Sequence, residues 1–227
     1  MGVHGGPDIV EDGLIFAVDA GNGQSYVSGS TTCTNLFGPY TGSLQDDTQY
    51  SPSVSGCWNF DGADDFINCG DMEMDGWTAL TIEAWYKCLD SNNLRRIVSK
   101  DQVGVQGAFI FYKDQNADLA FTINDGGGWY SAAYTSYSED NNWHHAMGVF
   151  NGSTTKLYFD GVEVASVASS ISLDDADNEE VVIGADSDVS SPEQEWLGQI
   201  ANVKIYNKGL SAAEVLQNYN ATKGRFT

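Results

Sequence analysis

Apolar and polar residues alternate with a period of two along most of the chain. The segment Leu80-Thr81-Ile82-Glu83-Ala84-Trp85-Tyr86-Lys87 shows it most fully, with Leu80, Ile82, Ala84 and Tyr86 on one face and Thr81, Glu83, Trp85 and Lys87 on the other. Such alternation marks a strand, because successive side chains of extended backbone point to opposite sides of a sheet. Leu14–Asp19 reads as a first strand buried on both faces or nearly so, and further strands are predicted over 95–100, 107–113, 117–123, 129–135, 143–150, 155–160, 162–167, 180–185 and 196–206. Asn124-Asp125-Gly126, Asn151-Gly152 and Asp160-Gly161 separate them as turn signals, and Asp61-Gly62 predicts a hairpin between 58–60 and 66–68. Many short strands at this spacing predict an all-β, two-sheet antiparallel sandwich rather than a parallel sheet with crossover helices. One helix is expected, at the end: Ser211 and Glu214 form a capping box, and Val215, Leu216 and Tyr219 supply an apolar stripe. It is placed across the sandwich as a clasp.

Composition supports one domain. The 227 residues are 41% hydrophobic and 12% aromatic, enough to fill a two-sheet core, and no Pro- or Ser/Gly-rich linker divides them. Residues 1–12 read as a glycine-rich N-terminal arm, with Val3, Pro7, Ile9 and Val10 able to anchor on a neighbouring subunit, and 13–227 as the sandwich. Thirty-two Asp and Glu against ten Lys and Arg give a net charge of -22. That balance argues against nucleic acid and anionic membranes, whose charges need cationic partners. It suits a solvated acidic surface, a captured divalent cation or a basic partner. The first residues carry neither a basic nor an apolar stretch, so no secretory signal is expected, and no apolar run nears the roughly 20 residues of a membrane helix. Cys33, Cys57, Cys69 and Cys88 have no zinc-site spacing. Free buried thiols are expected, although the hairpin would bring Cys57 and Cys69 near each other.

Several segments together resemble a known family. They are Asp12-Gly13-Leu14-Ile15-Phe16-Ala17-Val18-Asp19-Ala20, Asn59-Phe60-Asp61-Gly62-Ala63-Asp64-Asp65-Phe66-Ile67, Leu80-Thr81-Ile82-Glu83-Ala84-Trp85 and Ile97-Val98-Ser99-Lys100. Trp143-His144-His145, Leu157-Tyr158-Phe159-Asp160-Gly161, Ile183-Gly184-Ala185-Asp186 and 198–207 with 210–214 follow in the same order. This series resembles the laminin-G-like branch of the concanavalin A-like lectin/glucanase superfamily, which implies a jelly-roll sandwich. Residues 6–14 and 217–226 are similar to versions carried by tailed-phage virion proteins, notably marine ones. That resemblance implies a capsid decoration or fibre-associated subunit on the virion surface, assembled in the host cytoplasm in many copies or as a homo-oligomer, with virion scaffold proteins and a cell-surface glycan as partners.

The candidate chemistry is sparse. Glucanases of this fold carry paired carboxylates on one strand, whereas the strand 80–87 offers only Glu83, so hydrolysis is disfavoured. Trp143-His144-His145 lies on a strand and should send one His inward and one outward, with no nucleophile partner. The family often holds calcium near one edge, and Asp19 with Asn22 is the candidate site, weakened by Ala201 where relatives carry an acidic residue. The acidic stretch 174–180 resembles the start of an EF-hand loop but lacks its later residues. Solvated acidic loops are the alternative to both. For a glycan, Asn124, Asp125, Trp129 and Tyr130 combine flat rings with hydrogen-bonding groups beside three glycines. The alternative is a hairpin whose Trp129 tucks into the core. The expected function is a non-enzymatic virion surface protein with a lectin-like fold; a calcium-dependent carbohydrate-binding receptor module is the alternative, and a glucanase follows behind.

Overall fold

In the computed structural model, which describes residues 8–89, 93–102, 107–116, 118–137, 139–175 and 179–226, the described strands form two antiparallel sheets. Numbered in chain order, the first sheet runs β14 (Val162–Ala168), β13 (Thr154–Phe159), β12 (His144–Phe150), β7 (Leu80–Cys88), β16 (Leu197–Tyr206), β5 (Cys57–Asp61) and β4 (Gln49–Ser51). The strand β1 (Leu14–Asp19) shares with β5 the side of β16 that β7 leaves open. The second sheet runs β11 (Trp129–Tyr134), β10 (Leu119–Asn124), β9 (Phe109–Lys113), β8 (Arg95–Lys100), β15 (Val182–Ile183), β6 (Phe66–Asn68), β3 (Thr41–Gln45) and β2 (Thr32–Thr34). One α-helix, α1 (Ala212–Thr222), closes the described chain. The expected architecture is thus present.

The gap between the sheets is the main core. Phe16, Trp58, Phe60, Leu80, Ile82 and Tyr86 from the first sheet meet Ile67, Val98, Phe111, Phe121, Ile123 and Ile183 from the second. Gly148 of β12 shows how close the approach is: a Cβ there would lie 2.1 Å from the Phe121 ring, so only glycine admits that ring. A second apolar layer covers the outer face of the first sheet, where Ala17, Met147, Val149, Tyr158 and Tyr206 pack with Leu210 and Val215 around α1. Both faces of β7 are therefore buried, although its sequence alternates like a half-exposed strand.

Three expectations are corrected. The segments around Asp61–Asp65 do not pair as a hairpin: β5 joins β16 and β4 in the first sheet, while β6 joins β15 and β3 in the second. A turn signal fixes a change of direction but not which strands pair. The four cysteines are buried and free as expected, but Cys57 and Cys69 are not brought together, since Cys57 lies on the outer-face cluster and Cys69 in the main core. Residues 8–12 are not a separate arm. Val10 is buried under α1, its N–H donates to Asn218 Oδ1 at 2.8 Å, and its carbonyl accepts from the Tyr206 hydroxyl at 3.1 Å. Ile9 packs on the same cluster. Val3 and Pro7 lie outside the described residues.

Candidate functional site

The hairpin joining β10 to β11 is built from its own polar groups. Asp125 Oδ1 accepts from the N–H groups of Gly127 (3.0 Å) and Gly128 (2.8 Å), and Oδ2 accepts from the Tyr130 hydroxyl at 3.1 Å. Those bonds, from Gly127 first and then from Tyr130 and Gly128, hold the Asp125 carboxyl below the usual carboxylate range. Gly126 has φ +78°, and a Cβ there would sit 2.0 Å from an Asp174 oxygen, so the turn demands glycine. Asn124 is fully buried; its Oδ1 accepts from Gly126 N–H and its carbonyl from Asp174 N–H. It shapes the turn and is not presented to a ligand. Tyr130 packs against the main core. Trp129, directly across from Asn124, is 41% exposed on the outer face of the edge strand, so it does not tuck into the core. Ser131 and Ala133 follow it outward at alternate positions. Of the four sequence candidates, the structure presents Trp129 and the rim of Asp125 to solvent and uses Asn124 and Tyr130 as supports.

Asp19 has a different partner from the one expected. Arg225 Nη1 lies 2.7 Å from its Oδ1 and 2.8 Å from its Oδ2. The same guanidinium donates to the carbonyls of Val54 and Gly56. A carboxylate and two carbonyls are the oxygen set that a hard cation would choose, and here a guanidinium fills it. Asn22 is turned away: its Oδ1 accepts from Gln24 N–H and its carbonyl from Ser25 and Tyr26 N–H. The acidic stretch 174–180 likewise serves the fold. Asp175 lies 2.8 Å from the buried Lys100 ammonium and accepts from Met74 N–H, and the Glu179 carbonyl also receives Lys100. Residues 176–178 lie outside the described residues.

Glu83 is sealed beneath α1. Oε1 accepts from Lys204 Nζ at 2.6 Å and lies 3.2 Å from His145 Nε2, while Oε2 accepts from Asn218 Nδ2 at 2.6 Å. Burial alone would push this carboxyl up, but Lys204 and His145 outweigh it and bring it down to about 2. A fully buried, fully paired carboxylate has no path to a substrate. The two histidines divide as a strand requires, but in an unforeseen sense. His145 is buried on the outer face, under the helix, whereas His144 faces the inter-sheet side at the strand end, between Asp140 (3.0 Å) and Asp160 (2.9 Å).

Several surface clefts among the described residues were not anticipated from the sequence. A cleft of about 330 Å³ opens beside β4 and is lined by Tyr26, Ser28, Ser30, Asp46, Gln49 and Tyr50, among others. The Tyr26 and Tyr50 rings lie 5.3 Å apart, centroid to centroid. Its only sequence signal was a Ser/Thr/Gly-rich stretch without period-two alternation, which reads as loop.

Comparison with known proteins adds to this geometry. The model of the Laminin_G_3 family, described as concanavalin A-like lectin/glucanases superfamily, matches residues 61–216. No curated protein sequence matches the chain. The binding domain of Paraclostridial Mosquitocidal Protein 1 superposes with a TM-score of 0.72 at 15% identity, covering 92% of this chain and 52% of that one. The binding domain of botulinum neurotoxin DC, solved in complex with SialylT, gives 0.71 at 11% identity, covering 94% and 52%. Domain 4 of AbnA, a GH43 extracellular arabinanase from Geobacillus stearothermophilus solved with arabinotriose, gives 0.69 at 15% identity, covering 92% and 100%. The chain thus spans about half the length of the two toxin binding domains and the whole of the arabinanase domain. At these identities the likeness is one of fold.

Proposed function

Since the chain belongs to the concanavalin A-like lectin/glucanases superfamily, whose model spans more than half of it, we propose that it is a non-catalytic glycan-binding domain displayed on the surface of a tailed-phage virion. The observation that carries the binding role is Trp129. A large indole stands exposed on the outer face of an edge strand, beside a hairpin stiffened by the Asp125 hydrogen bonds. A side chain at Gly127 or Gly128 would meet nothing nearer than Asp125 Oδ1, at 3.5 and 3.9 Å. A sugar ring can therefore stack on the indole while its hydroxyls reach Asp125 and Ser131. Rigid aromatics suit this task because their flat apolar face is presented at little conformational cost. Glycans in complex with the neurotoxin DC binding domain and with the arabinanase domain support the same use of this fold.

Binding rather than hydrolysis is supported by Glu83, which lies under α1 and is engaged by Lys204 and Asn218. The virion setting rests on the resemblance of residues 6–14 and 217–226 to tailed-phage proteins, and an acidic surface suits a displayed, soluble subunit. The test is a glycan array carrying sialylated and arabinose-containing oligosaccharides, probed with the full chain. Trp129→Ala should abolish the strongest signal with little change in melting temperature, because the residue is 41% exposed and lies outside the core. Loss with Tyr50→Ala instead, and retention with Trp129→Ala, would move the site to the cleft beside β4. Mass spectrometry of purified particles tests the setting: many copies indicate decoration, a few indicate a fibre, and none removes the virion role. Reducing ends released from β-glucans, and abolished by Glu83→Gln, would overturn the non-catalytic reading.

A further inference from the structure

The crossover between the two sheets gathers three carboxylates that neither the Trp129 hairpin nor the β4 cleft uses. Asp61 ends β5, and Asp64 and Asp65 lead into β6; one oxygen from each lies within 4.8 Å of the other two. Asp61 and Asp64 are exposed, whereas Asp65 is only 4% exposed. Asp65 Oδ2 accepts from Asp61 N–H at 2.9 Å, which closes the crossover. Its Oδ1 is buried and has no hydrogen-bond donor among the described residues. Buried carboxylate oxygens are almost always paired, so an orphan of this kind points to a missing partner. The surroundings make matters worse for the anion. The carboxylates of Asp61, Asp64 and Asp47 surround it with like charge. Asp46 and Asp47 also add negative charge around Asp64.

We infer that Asp61, Asp64 and Asp65 form a divalent-cation site of the calcium class, with Asp65 Oδ1 as its inner ligand. Calcium binds oxygen at about 2.3–2.6 Å, so ligands on opposite sides of the ion stand about 5 Å apart, and the measured spread fits within that span. The donors are all hard carboxylate oxygens, which excludes the nitrogen and sulfur preference of zinc. The two exposed residues leave the outer side of the ion to water, which completes the six to eight ligands that calcium takes. Such an ion supplies the missing partner of Oδ1 and ties the end of one sheet to the start of the other. The site is separate from the glycan surface, and cation binding here needs no sugar.

The experiment is calorimetric titration of the chelator-treated full chain with calcium chloride, in the absence of glycan. One calcium per chain is expected, together with a rise in melting temperature, since a ligand bound only by the folded state stabilises it. Asp64→Asn, at an exposed position, should weaken binding at least tenfold while leaving the circular dichroism spectrum unchanged, and Asp65→Asn should do the same. Asp19→Asn should leave calcium affinity unaltered, because Arg225 fills that oxygen set. Absence of binding at millimolar calcium overturns the inference. So does binding that survives both Asp64→Asn and Asp65→Asn, or binding that Asp19→Asn removes.

Discussion

Glu83 and Asp19 are carboxylates whose partners the local sequence does not name. Each stands where a glucanase or a calcium site would put an acid, and each is neutralised from a distant part of the chain. Removing the Glu83 charge strands the Lys204 ammonium under α1. Glu83→Gln should therefore cost about 3–5 kcal/mol, the usual penalty of breaking a buried pair, read from urea unfolding midpoints. Its pH dependence follows from a folded-state value of about 2 against an ordinary 4.5. A depressed carboxyl stabilises the native state above the unfolded value and loses that contribution as pH falls through the folded one. The gap between wild type and Glu83→Gln should hold steady from neutral pH down to about 5 and close progressively below it. A gap that widened in acid would contradict the pairing. At the other carboxylate, Arg225→Met takes the guanidinium away from Asp19 and two carbonyls. With the pair only partly buried, a loss of about 1–3 kcal/mol is expected in the same measurement.

Helix α1 carries the lesson at the level of elements. Its start is local chemistry: Ser211 Oγ accepts from Glu214 N–H and Glu214 Oε2 from Ser211 N–H, the capping box anticipated from the sequence. Ser211→Ala should cost about 1 kcal/mol, and a thermal melt identical to wild type would show that the cap is dispensable. Which face of the helix is buried was less legible. Val215 is buried as expected, but Leu216 is 46% exposed, and the other fully buried position falls to Asn218. That amide bonds Glu83, the Tyr206 hydroxyl and Val10 N–H together. A hydrophobic stripe could not reveal it, because the sheet beneath offers a carboxylate and a hydroxyl there as well as apolar surface. Asn218→Ala should therefore cost about 1–3 kcal/mol by orphaning buried polar groups. Leu216→Ala should stay within about 0.5 kcal/mol. Equal losses would mean that the helix docks through its apolar residues alone.

Over the whole molecule, charge is more uneven than the composition states. Arg96, Lys100, Lys113 and Lys204 are all buried, so much of the positive charge lies inside while the acids crowd the surface. Self-repulsion should then oppose the compact state. Raising sodium chloride from about 0.01 to 0.1 M shortens the screening length from roughly 30 to 10 Å, and the melting temperature should rise with it; a flat response would show that the buried pairs already offset the surface field. The sequence alone determined β1, the strands from β5 onward, the capped helix and a hairpin at 124–130, while the side to which Trp129 turns was left to the fold. These are products of local sterics: side chains alternate on extended backbone, Asp-Gly turns, and a serine caps the helix beginning beside it. The strands β2, β3 and β4 escaped notice because Thr, Ser, Gly and Gln leave no alternation to read. Tertiary structure alone decided that β5 and β6 part into different sheets, that the outer face of β7 is roofed by α1, and that Asp19 meets a guanidinium 206 residues away. Partners so far apart leave no trace in a local pattern; only the closed fold brings them within reach of each other.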